Sequence, residues 1–380
     1  MIYLDNSATS YPKPQCVIDS INNAFIKYGA NSGRGAYQMA LDTTEQIYLC
    51  RKKIAEFFNL AKIENVIFTY NCTTALNMAI KGVAKKGCHF IISDLEHNAV
   101  LRPLETLKEK GFCDYSIAKV ERDSFVTLKN FEKCIKKNTV AIICTAASNV
   151  FGIIPPYHLL SSLARRYGLI FIMDGSQLAG SLPIDMQKSK IDILCCSGHK
   201  GLLGPSGLGF MLINNDVLLD TIIEGGTGSN SKDYLQPLNY PDRLESGTPN
   251  ILGIIGLSNA IDFINDKKIS KIYKHEKNLL KNFQYNLFDV KRIKFYTNMF
   301  DNYSCLSPIL SFNIDGMHSE EVASKLSDDN IAVRAGLHCA PLAHIKFNTQ
   351  DIGTVRVSPS FYTKKEDIDL LINSVRKIAK

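Results

Sequence analysis

The stretch Ile170-Phe171-Ile172-Met173-Asp174-Gly175-Ser176-Gln177 is four apolar residues closed by an acid, a glycine and two polar side chains. A short apolar run without polar alternation reads as a strand buried on both faces, as in a parallel sheet. A second run, Ile193-Leu194-Cys195-Cys196-Ser197-Gly198-His199-Lys200-Gly201, has the same form with a lysine in place of the acid. A lysine set among Ser, Gly, His and Gly directly after a buried strand is not an ordinary solvated charge.

Working outward, candidate strands at 66–70, 89–93, 116–119, 140–145 and 208–213 join the two at 170–173 and 193–196. Helical patterns at 74–84, 100–110, 128–137 and 157–167 separate them. This alternation predicts an α/β fold with a mostly parallel, seven-stranded sheet flanked by helices. Ligands of such sheets bind beyond the carboxyl ends of the strands. Residues 71–74, 96–98, 148–149, 174–177 and 197–200 are therefore expected around one mouth.

Near residue 250 the pattern changes. Helices at 252–265 and 269–288 precede strands at 294–297 and 309–313, a helix at 319–328, short strands at 332–334 and 354–358, and a last helix from Lys365. The expected organisation is a large domain over 15–250 and a smaller α+β domain built from 1–14 and 251–380.

A formal charge of +7 is spread over lysine runs at 108–110, 133–137 and 267–281, which read as solvated helix faces. A nucleic-acid surface would interleave aromatics with a basic stripe, so none is expected. No apolar stretch approaches the roughly 20 residues of a membrane span. The first residues lack a basic and apolar leader pattern, so a cytoplasmic protein is expected. The eleven cysteines are odd in number and contain no Cys-x-x-Cys pair, which favours reduced thiols over a disulfide framework. His338, Cys339 and His344 lack a companion cluster, and no metal site is expected.

An acid and a lysine at neighbouring strand ends are what pyridoxal 5′-phosphate needs. The lysine forms the Schiff base, and the carboxylate keeps the ring nitrogen protonated so that the ring acts as an electron sink. Asn71-Cys72-Thr73-Thr74 follows a strand and opens a helix, a ready phosphate site, with an ordinary Thr cap as the competing reading. His97 suits ring stacking and acid–base work, or simply caps the next helix. Asn149 suits a cofactor or substrate oxygen, or a turn before Gly152. Lys200 is followed by Gly201, which excludes a Walker phosphate loop. In Arg334-Ala335-Gly336-Leu337-His338-Cys339-Ala340-Pro341, a thiol lies in a Gly/Pro-bounded loop beside Arg and His, a setting for a reactive cysteine. The other ten cysteines read mostly as inert core. Arg356, amid apolar neighbours, suits bidentate grip of a carboxylate or an internal ion pair.

Taken together, Tyr3 to Ala8, Asn31 to Gly35, Thr73-Thr74, Glu96-His97, Ser148-Asn149, Asp174 to Gln177, Ser197 to Lys200, Glu245 to Asn250 and Arg334 to Ala340 resemble one family. The chain is similar to the class V, fold type I pyridoxal-phosphate enzymes, and within them to the group II cysteine desulfurases and selenocysteine lyases. The resemblance implies that Lys200 holds the cofactor, Asp174 pairs with its ring nitrogen and His97 stacks on the ring. Gln177 and Asn149 would lie near the phenolic oxygen. Thr73, Thr74, Ser197 and His199 would bind phosphate, with Thr248 reaching in from a second subunit of a homodimer. Arg356 would take the substrate carboxylate, with Arg34, Arg334 and Asn149 in the same pocket, and Cys339 would accept sulfur.

The implied reaction converts L-cysteine to L-alanine and leaves a persulfide on Cys339 for a sulfur-acceptor protein. L-selenocysteine lyase and aminotransferase activities are the competing enzymatic readings, and a non-catalytic partner-binding module is the competing class. Two positions depart from the family pattern. Leu337 stands where a histidine usually precedes His338-Cys339, and Thr363 stands where an asparagine usually follows Tyr362.

Overall fold

The computed structural model describes residues 1–33, 35–214, 217–229, 231–301 and 306–380. In chain order, β1 (Ile2–Tyr3), α1 (Gln15–Lys27) and α2 (Gln38–Phe58) lead into an alternating series. That series is β2 (Val66–Thr69), α3 (Cys72–Val83), β3 (Cys88–Ser93), α4 (Asn98–Glu109), β4 (Cys113–Ala118), α5 (Ser124–Lys133), β5 (Thr139–Thr145), α6 (Tyr157–Arg166), β6 (Ile170–Asp174), α7 (Met186–Ser189), β7 (Ile193–Ser197) and β8 (Gly209–Ile213). Then follow α8 (Ile251–Lys267), α9 (Ile269–Tyr285), β9 (Ile293–Phe295), β10 (Leu310–Ile314), α10 (Ser319–Asp328), β11 (Ile331–Ala332), α11 (Pro341–Lys346), β12 (Val355–Val357) and α12 (Lys365–Ile378).

Strands β2 to β8 form one seven-stranded sheet in the order β2-β8-β7-β6-β5-β3-β4. Neighbours run parallel except β8, which is antiparallel to β2 and β7. The apolar runs split by strand alternation between two cores. Ile142, Cys144, Phe171, Met173, Leu194 and Cys196 join one. Ala141, Ile143, Ile172, Ile193 and Cys195 join the other. Both faces are covered by helices, which is why these strands carry no polar alternation. Truncating a fully buried ring such as Phe210 to alanine would cost about 3–5 kcal/mol.

A smaller unit stacks the antiparallel sheet β12-β10-β9 against α9 and α12. Leu279, Leu280, Phe283, Phe312, Val355 and Val357 form its core. The N-terminus belongs here too, because β1 pairs in parallel with β11. By contrast, α8 buries Ile254, Leu257, Ile261 and Ile264 in a core of the large sheet. Packing therefore changes hands along α9, one helix later than the composition shift at residue 250.

Two helices fall where the sequence gives a weak helical signal. Only Val17 and Ala24 of α1 are buried, so its apolar stripe is thin. The α5 helix starts four residues before its expected position because Asp123 caps it, accepting from Phe125 N and Val126 N.

Two glycines allow close approaches that shape the mouth of the sheet. A Cβ at Gly209 would lie 2.7 Å from Cys72 N, so glycine lets β8 meet the start of α3. Gly180 has φ +85°, and a Cβ there would sit 2.1 Å from the Gly201 carbonyl oxygen. The turn after β6 thus presses on the loop after Lys200. Among the described residues, no helix is long and apolar enough to cross a membrane.

Candidate active site

The carboxyl ends of β2, β3, β5, β6 and β7 open on one edge of the sheet. One cavity there gathers Thr73, His97, Asn149, Asp174, Gln177, Ser197, His199 and Lys200. All eight carry cofactor roles in the sequence reading. Cys72 and Thr145 line the same cavity; Cys72 falls in the 71–74 stretch expected at this mouth, though with no role of its own, and Thr145 does not. Cys72 reads as one more apolar helix residue, and only its place at the first position of α3 hinted otherwise.

Asp174 closes β6 and pairs across the sheet with Cys195 of β7. Its Oδ1 accepts from Ser176 N at 2.9 Å and from the Cys72 thiol at 3.6 Å. Lys200 stands just beyond the end of β7. Its amine makes no hydrogen bond or ion pair with any described residue. Burial holds the Lys200 ammonium below the usual lysine range; the Arg356 and Arg334 charges add to this, and Asp174 opposes it. His97 caps α4, its Nδ1 accepting from Ala99 N at 3.0 Å. The neutral ring then carries its proton on Nε2. Burial also lowers the His97 pKa.

Beneath His97 lies Glu96, which is fully buried. Its Oε1 accepts from Thr145 N at 2.8 Å and from Ser93 Oγ, while Oε2 has no partner. Burial pushes its pKa up to about 8, so the carboxyl keeps its proton near neutrality.

The residues suit a phosphorylated aldehyde. The first N–H groups of α3 have no intrahelical partner and face the cavity end of the helix, where the macrodipole favours an anion. Asn71 Oδ1 satisfies only Thr74 N, at 2.8 Å. Ser197 Oγ is buried without any hydrogen bond. A buried hydroxyl beside a helix N-terminus, with no partner among the described residues, fits a phosphate. On the far side, the His199 carbonyl accepts from Ser10 N at 3.0 Å and Lys13 Nζ at 2.8 Å. The N-terminal segment thereby pins the Lys200 loop. Burial depresses His199 to about 4 and Lys13 to about 8.

Cys339 comes from the small unit. An isolated bridge between Arg334 and Arg356 starts its loop, which then passes through left-handed φ values at Gly336 (95°), His338 (51°) and Cys339 (58°). Non-glycine residues in that region cost about 1–3 kcal/mol each, so other contacts must hold them. Two come from the cavity wall: Asn98 N donates to the Cys339 carbonyl at 2.8 Å, and Asn149 Nδ2 donates to the His338 carbonyl at 2.7 Å. The Cys339 thiol is exposed, with Arg334 Nη2 at 3.8 Å. Behind it, His338 and His344 stack at 5.8 Å with their planes 7° apart. Burial depresses both imidazoles, His338 well below its usual range and His344 to about 4.

Three sequence-derived assignments meet a different setting. Arg356 is 1% exposed and, like Arg334, is absent from the lining of both cavities that border Lys200. Its Nη2 pairs with Asp5 Oδ1 at 2.6 Å and its Nη1 donates to the Asn149 carbonyl at 2.8 Å. The fork is already engaged, whereas Arg334 forms no ion pair with a described residue. Thr248 lies apart from Lys200, on a separate cavity of about 510 Å³ that also takes in Thr74. Arg34 lies outside the described residues. Gln177 lines the cavity, but its Nε2 donates to the Ser7 carbonyl at 3.0 Å, leaving Oε1 for a ligand. Of the remaining cysteines, Cys16 is exposed and seven are buried. Cys305 lies outside the described residues.

The aminotransferase class-V family model matches residues 2–371. A probable cysteine desulfurase of Pyrococcus abyssi is 32% identical over 390 residues, covering 100% of this chain and 94% of that protein. The apo cysteine desulfurase of Thermococcus onnurineus NA1 superposes with a TM-score of 0.91 at 30% identity, covering 100% of this chain and 94% of its own. The cysteine desulfurase CsdA of Escherichia coli gives 0.88 at 25% identity, covering 99% and 94%.

Proposed function

The chain belongs to the class-V aminotransferase family, and from that premise we propose that it is a pyridoxal-phosphate-dependent cysteine desulfurase that loads sulfur onto Cys339. The observation that carries this reading is the direct seam between the two halves of the site. His97 lines the Lys200 cavity, and the residue after it donates to the Cys339 carbonyl at 2.8 Å, so the loop with the exposed thiol is tied to an element of that cavity's wall.

When bound, pyridoxal phosphate supplies an electron sink for charge developing on the substrate. The α3 N-terminus, Thr73, Ser197 and His199 would hold its phosphate, Asp174 its ring nitrogen, and Lys200 its aldehyde carbon. His97 would cover the ring. The Lys200 amine, eased toward neutrality by burial, is suited to take the Cα proton of L-cysteine and return it at another carbon. Arg334, which has no ion pair with a described residue, is the freer guanidinium for the substrate carboxylate. Arg356 orients Asn149 and Asp5 from behind.

Cys339 then attacks the substrate sulfur as a thiolate. A sulfur–sulfur bond forms and the carbon–sulfur bond breaks; its electron pair stays on Cβ, which takes a proton. The sum is cysteine plus protein thiol giving alanine plus protein persulfide, with no external oxidant. The exposed Cys339 is where a sulfur-acceptor protein would collect it. A cytoplasmic setting suits the many free thiols. A homodimer is supported by the apolar side chains left exposed on α1 and α2, among them Phe25, Ile26, Met39 and Leu41, and by the cavity that carries Thr248.

The test is incubation of the purified protein with L-cysteine, followed by intact mass and peptide mapping. One added sulfur on the peptide containing Cys339, with alanine released in equal amount, is expected. Sulfur on another cysteine, or alanine without protein-bound sulfur, overturns the assignment.

A further inference from the structure

Cys72 occupies an unusual position. As the first residue of α3, its backbone N–H belongs to the group left free for an anion. Its side chain turns the other way, into the same cavity, and donates to Asp174 Oδ1 at 3.6 Å. One residue therefore touches both the phosphate end of the site and the carboxylate assigned to the ring nitrogen. Its place is fixed from below: Gly209 of β8 lies so close to Cys72 N that even a methyl group would collide.

We propose that Cys72 is a positioning residue for Asp174: its thiol and Ser176 N together occupy Oδ1 and fix the carboxylate so that Oδ2 faces the cofactor ring. This rests on the reading of the cavity as a pyridoxal-phosphate site. Two donors converging on one oxygen set both the rotation of the carboxylate and the share of charge left on the other oxygen. A thiol is a weak donor, which suits the task. It orients the carboxylate without drawing off the charge that the ring nitrogen requires. Burial and the Asp174 charge raise the Cys72 pKa well above the ordinary thiol range, so the donor keeps its proton under all working conditions. The thiol is buried, which distinguishes it from Cys339 and keeps it out of sulfur transfer.

The experiment compares Cys72→Ala and Cys72→Ser with wild type in two assays. In the apo protein, the S–H stretching band of Cys72, isolated as the wild-type minus Cys72→Ala infrared difference, should move to higher frequency when Asp174→Asn weakens the acceptor. An unmoved band would overturn the contact whether or not the protein binds a cofactor. In the second assay, apo protein is titrated with pyridoxal phosphate and followed by visible absorbance. Cys72→Ala should weaken retention by about fivefold and shift the band maximum, and Cys72→Ser, a stronger donor in the same place, should restore retention to within about twofold. Equal losses in the alanine and serine variants would reduce Cys72 to a packing residue, and no change in either would remove it from the site. A wild-type protein that takes up no pyridoxal phosphate would instead sink the cofactor reading and leave the infrared result standing.

Discussion

Asp174, Ser197 and Lys200 stand at the ends of adjacent parallel strands whose apolar residues are built into or packed against one of two cores. Cys339 stands in a loop of left-handed residues, carried by a smaller unit and bonded to the large one through two main-chain carbonyls, with Ala340 and Ala343 just after it packed in a core of the large sheet. The first region gets its geometry from strand spacing and needs little local help. The second spends conformational energy to present an exposed thiol, and it depends on hydrogen bonds from its neighbour. A cofactor pocket profits from rigidity, because the ring must be held against a fixed acid and base. A sulfur carrier must face both the cavity and a partner in solvent, and an exposed loop meets both demands.

The sharpest way to separate the regions is to remove one reacting group from each. Lys200→Ala should lower alanine formation by at least about 10⁴-fold, since it removes both the anchor and the base. It should also abolish the visible absorbance that survives dialysis. Cys339→Ser should lower sulfur transfer by about 10³-fold, yet leave cofactor uptake and its absorbance unchanged. Loss of cofactor in Cys339→Ser would mean that the loop helps to build the pocket. Full sulfur transfer in that variant would mean that another thiol accepts.

The same contrast explains what could be read from the chain alone. Period-two burial and continuous apolar runs mark β2 to β8 without ambiguity, and strand ends then place Asp174, Asn149 and Lys200 by sheet topology. An internal ion pair is one of the two readings the sequence allows for Arg356, but its partner Asp5 was not legible, because it comes from the other end of the chain. Nor was the role of Cys72, whose partner Asp174 is brought near by a crossover. The left-handed backbone at His338 and Cys339 left no mark either, because neither residue type demands it. Pattern reads elements, and elements read strand ends. Side-chain partnerships across the sheet and between units need coordinates.

Buried Glu96 in the mouth and His344 in the loop should give opposite responses to pH, whereas His199, also in the mouth and depressed to about 4, acts in the same sense as His344. Folded Glu96 keeps its proton up to about 8, whereas an exposed glutamate loses it near 4.5. Between those values the folded state binds more protons, so the mouth loses stability as pH rises. Folded His344 stays neutral down to about 4, whereas a free histidine gains its proton near 6.5. There the unfolded state binds more protons, and the loop loses stability as pH falls through that window. The His344 effect is at most about 3 kcal/mol. Glu276, buried on α9 and raised to about 8, acts in the same sense as Glu96 in another place, so a local probe is required. Hydrogen exchange, corrected for its intrinsic pH dependence, should show Thr145 N, which donates to Glu96, losing protection toward pH 8. Ala340 N and Thr349 N, which bond within the loop, should lose protection toward pH 4. Parallel responses in the two sets would mean that the regions open as one unit.

Asn149 is where the contrast can be broken, because it serves both regions. Its side chain lines the Lys200 cavity and holds the His338 carbonyl, while its own carbonyl holds Arg356. Asn149→Ala leaves the Arg356 contact in place but frees a buried carbonyl beside two strained residues. The lost bond is worth about 1–2 kcal/mol, enough for the left-handed segment to relax in part of the population. Sulfur transfer should then fall about tenfold. Alkylation of Cys339 by iodoacetamide in the apo protein should change by a comparable factor, while pyridoxal phosphate retention moves by less than about threefold. If retention falls more than transfer, Asn149 belongs to the cofactor and the loop holds itself. If both fall together and alkylation is unchanged, the Cys339 loop is held by its other ties to the large sheet: the Asn98 N–H to the Cys339 carbonyl, the packing of Ala340 and Ala343, and the Lys346–Asp94 ion pair at 2.7 Å.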